Sequence, residues 1–397
     1  MSYIDEYIKK LREKSIEGLM TEQSRLIKKF NIEYDAELFV FATCMEKNLP
    51  ESSLSTSDYE VIHDLLQNKS GKKIFFFLET KGGSGEAAKD IAELLHSKFD
   101  EVNFLIAGQA MSAGTILALS GDEIYMTETG SLGPIDAQVS IGRAVSSAHG
   151  YLKWVDDIRK EAAKNGRLNP FDATMVAQIS PGELSQVQNS LQFAINLVKE
   201  WLPKYKFKNW RITETSKITV TPEMKQTRAE EIATALTDQS RWNSHGRTLK
   251  IKDLNNLRLK IRSVDADQKM SNLVYRIKAI NRMLFGTTTA YKIYMTDVHR
   301  IQRNATPKGG NISFPQNINL KDTEATKLDI KCSKCNKEHK LYVKFKDNKN
   351  IDDMMKHEGL KPFPKNKMIK CSCGDTIDLV GPLSEIETMI GMKAILK

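Results

Sequence analysis

A chain of 397 residues exceeds what one hydrophobic core organises, and 40% apolar with 27% charged residues is the balance of a folded, water-soluble protein, which argues against a disordered or fibrous one. The net charge of +9 is local: Arg241 to Lys308 holds 15 Lys or Arg against 4 Asp and no Glu. Five cysteines do not suit a disulfide scaffold in so long a chain.

Residues 1–70 read as a helical lead-in, with Ile4, Tyr7, Ile8 and Leu11 at helical spacing. Ser57 stands three before Glu60, which predicts a capping box for a helix over Tyr59–Gln67. The opening Met1–Lys10 is already acidic and amphipathic, unlike a signal peptide. The longest apolar stretch, Phe104–Leu119, is interrupted by Gln109, Ser112 and two glycines, so a cytoplasmic protein is expected, without membrane contact.

From residue 71 to 250 the pattern becomes α/β. Ile74–Leu78 reads as a buried strand, followed by Gly82-Gly83-Ser84-Gly85 and an amphipathic helix through Ile91, Leu94 and Leu95. A second strand, Val102–Ala107, leads into Met111-Ser112-Ala113-Gly114-Thr115 and an apolar helix to Leu119. A third, Glu123–Met126, precedes the turn Leu132-Gly133-Pro134, and the alternation predicts largely parallel strands. Helical patterns resume over Tyr151–Arg211. The basic extension 251–305 reads as helical, with Leu273, Val274, Ile277, Ile280 and Leu284 on one face. Residues 306–326 read as a linker and 327–397 as a small separate module.

Two turns thus open at the same end of adjacent strands. The first is a glycine turn whose backbone N–H groups can face an anion; it lacks the G-x-G-x-x-G spacing of a dinucleotide fold and the G-K-[ST] ending of a phosphate loop. The second places Ser112 at the start of an apolar helix, beside those donors, as acyl transfer requires. The competing reading of Ser112 is a plain helix N-cap.

The runs Phe77-Leu78-Glu79-Thr80-Lys81-Gly82-Gly83, Ala110-Met111-Ser112-Ala113-Gly114-Thr115 and Leu132-Gly133-Pro134-Ile135-Asp136, with the later Ser244-His245-Gly246-Arg247, resemble the serine dehydrogenase proteinase family of the Clp protease and signal peptide peptidase A group. The resemblance covers roughly 57–249 and implies a Clp/crotonase fold of repeated β-β-α units. It also implies a serine peptidase, ATP-independent or partner-assisted, that forms oligomers, often rings. Ser112 would be its nucleophile and the Gly83 and Ala113 backbones its oxyanion hole. Lys81 stands where that pattern usually has proline.

A serine nucleophile needs a base. The signal peptide peptidase A group implies a Ser–Lys dyad, and Lys153 lies 41 residues after Ser112 among the apolar Leu152, Trp154 and Val155, which would favour a neutral amine. The Clp branch implies Ser-His-Asp, for which His245 and His149 remain as bases; Asp136 reads as ordering a turn.

Cys332-x-x-Cys335 and Cys371-x-Cys373 have nearly the layout of a zinc ribbon, with His339 or His357 as reserve ligands, and predict one structural zinc in a reducing compartment. Cys44, among Leu38, Phe39, Val40 and Phe41, reads as a core residue. The zinc module would recruit a protein or peptide substrate or a partner. The basic segment reads as a solvated face, or as a surface for an acidic protein or nucleic acid. The rival to a peptidase is therefore an inactive oligomeric scaffold that binds nucleic acid or protein through the basic segment and the ribbon.

Overall fold

The computed structural model describes residues 3–141, 144–242, 244, 246–305, 324–332, 334–390 and 392–396. The chain divides into two compact units, Met1–Arg303 and Asn304–Lys397. Most of the expected linker lies outside the described residues, and its last two positions, Ala325 and Thr326, already belong to a strand.

The first unit is built on a seven-stranded sheet. Its strands are β1 (Glu37–Thr43), β2 (Gly71–Glu79), β3 (Phe99–Ile106), β4 (Glu123–Met126), β5 (Arg262–Ser263), β6 (Ala290–Met295) and β7 (Arg300–Asn304), in the order β7-β6-β1-β2-β3-β4-β5. β1 to β5 run parallel and β6 is antiparallel to β1. The architecture is mixed α/β.

Helices cover both faces, so the strands read as near-continuous apolar runs. Alternate residues serve opposite cores: Ile74, Phe76 and Leu78 pack with the helices Gly85–Lys98, Ala113–Leu119, Pro181–Trp201 and Pro222–Thr237, while Phe75 and Phe77 pack with Tyr3–Tyr34 and Gln268–Thr287.

Three expectations are corrected. The lead-in 1–70 is not all helical, because Leu38–Phe41 lies in β1, next to the sheet centre; so short an apolar run carries no periodicity that separates strand from helix. The capping box sits at Ser55 and Asp58, opening a helix over Thr56–Leu65, two residues before the pair that the spacing suggested. The basic extension contributes β5, β6 and β7 as well as the helix Gln268–Thr287.

The cations of that extension are largely matched within the unit. Arg276 meets Glu6 at 2.8 Å, Arg300 meets Glu17 at 2.6 Å, Arg282 meets Glu46 at 3.3 Å and Lys260 meets Glu214 at 3.1 Å. Lys269 pairs with Glu33. Lys278 and Lys250 donate to the carbonyls of Ala107 and Thr129. The basic run complements acids that lie elsewhere in the sequence, above all on the first helix. Among the described residues no helix is long and apolar enough to cross a membrane.

In the second unit, an antiparallel pair (Ala325–Lys331 with Glu338–Lys344) is followed by a helix (Lys349–His357), a second antiparallel pair (Met368–Lys370 with Thr376–Asp378) and a helix over Val380–Ile390. Leu328, Ile330, Leu341, Val343, Phe363, Ile377, Leu379 and Leu383 form its core. The members of this cluster come from segments too short to show an apolar pattern singly.

Candidate active site

The loops after β2 and β3 meet at the carboxyl ends of these strands. Thr80 N–H donates to Gln109 O at 2.8 Å and Met111 N–H to Thr80 O at 3.0 Å, which locks the glycine turn to the serine turn. Behind them Thr115 ties two further segments: its Oγ1 donates to Ala110 O at 2.8 Å and accepts from Gly133 N–H at 2.9 Å.

Gly82 and Gly83 have φ of +94° and +148°. A Cβ on Gly82 would lie 2.6 Å from Met111 O, and one on Gly83 2.3 Å from Leu54 O, so backbone approaches too closely on both sides for any side chain. Gly83 bridges Leu54 in parallel register: Leu54 N–H donates to Gly82 O at 2.7 Å and Ser84 N–H to Leu54 O at 2.9 Å. In such a bridge the N–H of Gly83 itself points to the opposite edge, away from Leu54.

Ser112 has φ +48° and ψ −114°, outside the regions that L-residues adopt without cost. It is the residue before the buried helix Ala113–Leu119, and its side chain makes no cap hydrogen bond, so the N-cap reading does not describe it. Ala113 holds the first N–H of that helix, one of those a helix leaves without an internal acceptor.

Ser112, Ala113, Gly82 and Gly83 line one cleft of about 890 Å³. Ile116, Ile135, Phe193 and Ala194 give it apolar wall; Ser185, Gln186, Asn189 and Ser190, on one side of the helix Pro181–Trp201, give it polar wall. Lys81 is also in the lining, its ammonium 2.6 Å from Lys47 O.

The structure brings Ser112, Gly83 and Ala113 together and leaves Lys153 apart. Lys153 sits on the helix Ala148–Asn165, whose inward residues are Tyr151, Val155 and Ile158; it is itself exposed and outside the cleft lining. Its apolar sequence neighbours do not enclose it, since residues adjacent in a helix face different directions. His149 is half-buried in the first turn of the same helix, and His245 lies outside the described residues. Sequence reasoning missed Leu54, Ser53 and the polar side of Pro181–Trp201. No local signal marks them, because only tertiary packing brings Ser53 and that helix side to the cleft and Leu54 against its glycine turn.

The four cysteines of the second unit come together as expected. Their sulfurs all lie within 4.8 Å of one another, with Cys332 and Cys373 at 3.6 Å and Cys335 and Cys371 at 3.5 Å. A tetrahedral thiolate site with metal–sulfur bonds of about 2.3 Å needs sulfur–sulfur edges of roughly 3.8 Å, so the set fits a metal ion.

Residues 60–218 match the family model described as NfeD1b, N-terminal domain. An uncharacterized protein of Methanocaldococcus jannaschii is 31% identical over 160 residues, 40% of this chain and 49% of that protein. The membrane protein NfeD1b of Bacillus subtilis is 28% identical over 128 residues, 32% of this chain and 29% of that one. A solved structure of a mutant of the 1510-N membrane-bound stomatin-specific protease aligns at 13% identity over 56% of this chain and 79% of that one, with a TM-score of 0.31. The chain spans about half or less of the length of these curated relatives. The family model and the Bacillus relative liken part of the chain to NfeD1b proteins, where the sequence reading had pointed to the serine dehydrogenase proteinases.

Proposed function

We propose that the first unit is a serine peptidase of the Clp/crotonase type, with Ser112 as nucleophile and the N–H groups of Gly83 and Ala113 as oxyanion donors. The observation that carries this reading is the strained, uncapped Ser112 opening on the same cleft as the Gly82-Gly83 turn. Such strain is kept where the surroundings over-determine it, and it commonly marks a reacting group.

In this mechanism Ser112 Oγ attacks the scissile carbonyl carbon and its proton passes to a lysine amine, which then protonates the leaving amine. Water hydrolyses the acyl-enzyme by the reverse proton path. Lys153 remains the proposed base and must enter the cleft to act. Lys81, already in the lining, is the second reading. The pairing of basic-segment cations with acids of the same unit favours the peptidase over a nucleic-acid scaffold.

The cysteine cluster fits zinc best, because thiolates select a soft ion and a closed four-sulfur shell leaves no position for a reacting water. Its role is structural, and the unit that holds it is proposed to recruit a substrate or partner. Cytoplasmic location and assembly into homo-oligomers belong to the same proposal.

The test is labelling by a fluorophosphonate together with hydrolysis of a peptide library. Ser112→Ala should remove both, with a loss on the order of 10⁶-fold in turnover. Lys153→Ala should match it and Lys81→Ala should not; the opposite ranking assigns the base to Lys81. Undiminished hydrolysis by Ser112→Ala overturns the reading.

A further inference from the structure

One buried polar cluster lies outside the cleft and bears on it. Lys292, on β6, is 1% exposed, and its ammonium donates to both carboxylate oxygens of Asp58 at 2.7 Å and to Ser53 O at 2.8 Å. Its three protons thus have three acceptors. Asp58 is fully buried and also accepts from Tyr294 OH and, at 2.7 Å, from the backbone N–H of Ser55. Removing two charges from water is costly even when they are paired, so stability alone gives little reason for the pair.

What the pair holds is specific. Lys292 grips the carbonyl of Ser53 and Asp58 the N–H of Ser55, the two residues that flank Leu54. Leu54 in turn uses both of its own backbone groups on the glycine turn, toward Gly82 O and Ser84 N. No side chain intervenes between Leu54 and Gly83, so displacement of Leu54 passes directly to the orientation of the Gly83 peptide.

We infer that Asp58, Lys292 and Tyr294 form a positioning clamp for the oxyanion hole, acting through Leu54 to aim the Gly83 N–H at the Ser112 side of the cleft. This rests on the Ser112 reading above. None of the three is a catalytic residue, because none lines the cleft. The clamp connects an antiparallel strand late in the chain to a turn more than two hundred residues earlier, so the donor is correctly set only when the sheet is complete.

The experiment is hydrogen–deuterium exchange of the full chain, read on peptides covering 53–58 and 80–86, alongside steady-state kinetics. Lys292→Met should speed exchange of the Leu54 and Ser84 amides about tenfold or more while the β3 amides keep their protection. It should lower kcat by about 10²-fold with KM little changed, as for loss of one oxyanion donor. Tyr294→Phe keeps the shape of the core and removes one donor to Asp58, so it should show the same pattern at smaller amplitude, including where Lys292→Met does not fold. Unchanged exchange at 54 and 84 in folded variants, or acceleration spread evenly through the sheet, overturns the clamp. Exchange requires no activity: failure of wild-type Ser112 labelling overturns the serine reading, while the local exchange pattern still decides whether the clamp exists.

Discussion

Glu79 ends β2 immediately before the glycine turn and is almost wholly buried; burial pushes its carboxyl up to about 7, opposed by Lys278 and Arg282. An acid whose pKa is higher folded than unfolded binds more protons in the folded state, so stability is greatest below about 4.5 and is lost as pH rises through about 7. The contribution is at most ~3 kcal/mol. Glu79→Gln should flatten this part of the curve of melting temperature against pH; an unchanged slope between pH 4.5 and 7 would show that Glu79 titrates normally. Gly83 gives a second prediction at this scale. Gly83→Ala places a Cβ 2.3 Å from Leu54 O at a φ of +148°, so the turn must shift. Peptide turnover should fall at least about 10²-fold, with the far-ultraviolet circular dichroism unchanged.

At the scale of elements, the first helix, Tyr3–Tyr34, is held on Gln268–Thr287 by apolar packing, by the Arg276–Glu6 and Lys269–Glu33 ion pairs, and by one buried amide pair. Gln23 Nε2 donates to Asn281 Oδ1 at 2.6 Å, while Gln23 Oε1 and Asn281 Nδ2 are buried without a partner among the described residues. A half-satisfied buried amide pair costs stability. Asn281→Leu alone should destabilise by about 1–3 kcal/mol, because it strands the Gln23 amide, whereas Gln23→Met with Asn281→Leu should restore or exceed the wild-type midpoint in urea denaturation. If the single and double variants unfold together, the stranded Gln23 amide costs nothing. The helices around the cleft were readable from apolar periodicity. β1 was not, because its alternate residues feed two cores, and that erases the alternation a half-exposed strand would show.

For the whole molecule, division into two units predicts separable functions. Chelation, or Cys371→Ser, should release about one zinc per chain by elemental analysis and lower the melting temperature of the 324–396 region, yet leave small-peptide cleavage at Ser112 unchanged. The apolar cluster of that unit should keep part of its structure without metal, visible as retained protection of Leu341 and Val343 amides. Metal content near zero in protein purified without chelator would refute the zinc site. The sequence by itself determined the parallel α/β segment from Ile74 to Met126, the two turns that carry Gly83 and Ser112, and the cysteine pairs, because each is written in residues close together along the chain: a strand, a turn and a helix start, or two thiols a few positions apart. Tertiary structure alone decided the rest. It put Leu54 against Gly83, buried Lys292 on Asp58, matched the basic run to the acids of the first helix and turned Lys153 outward. These depend on which distant segments the sheet brings side by side and on which way a helix faces, and the spacing of neighbours encodes neither.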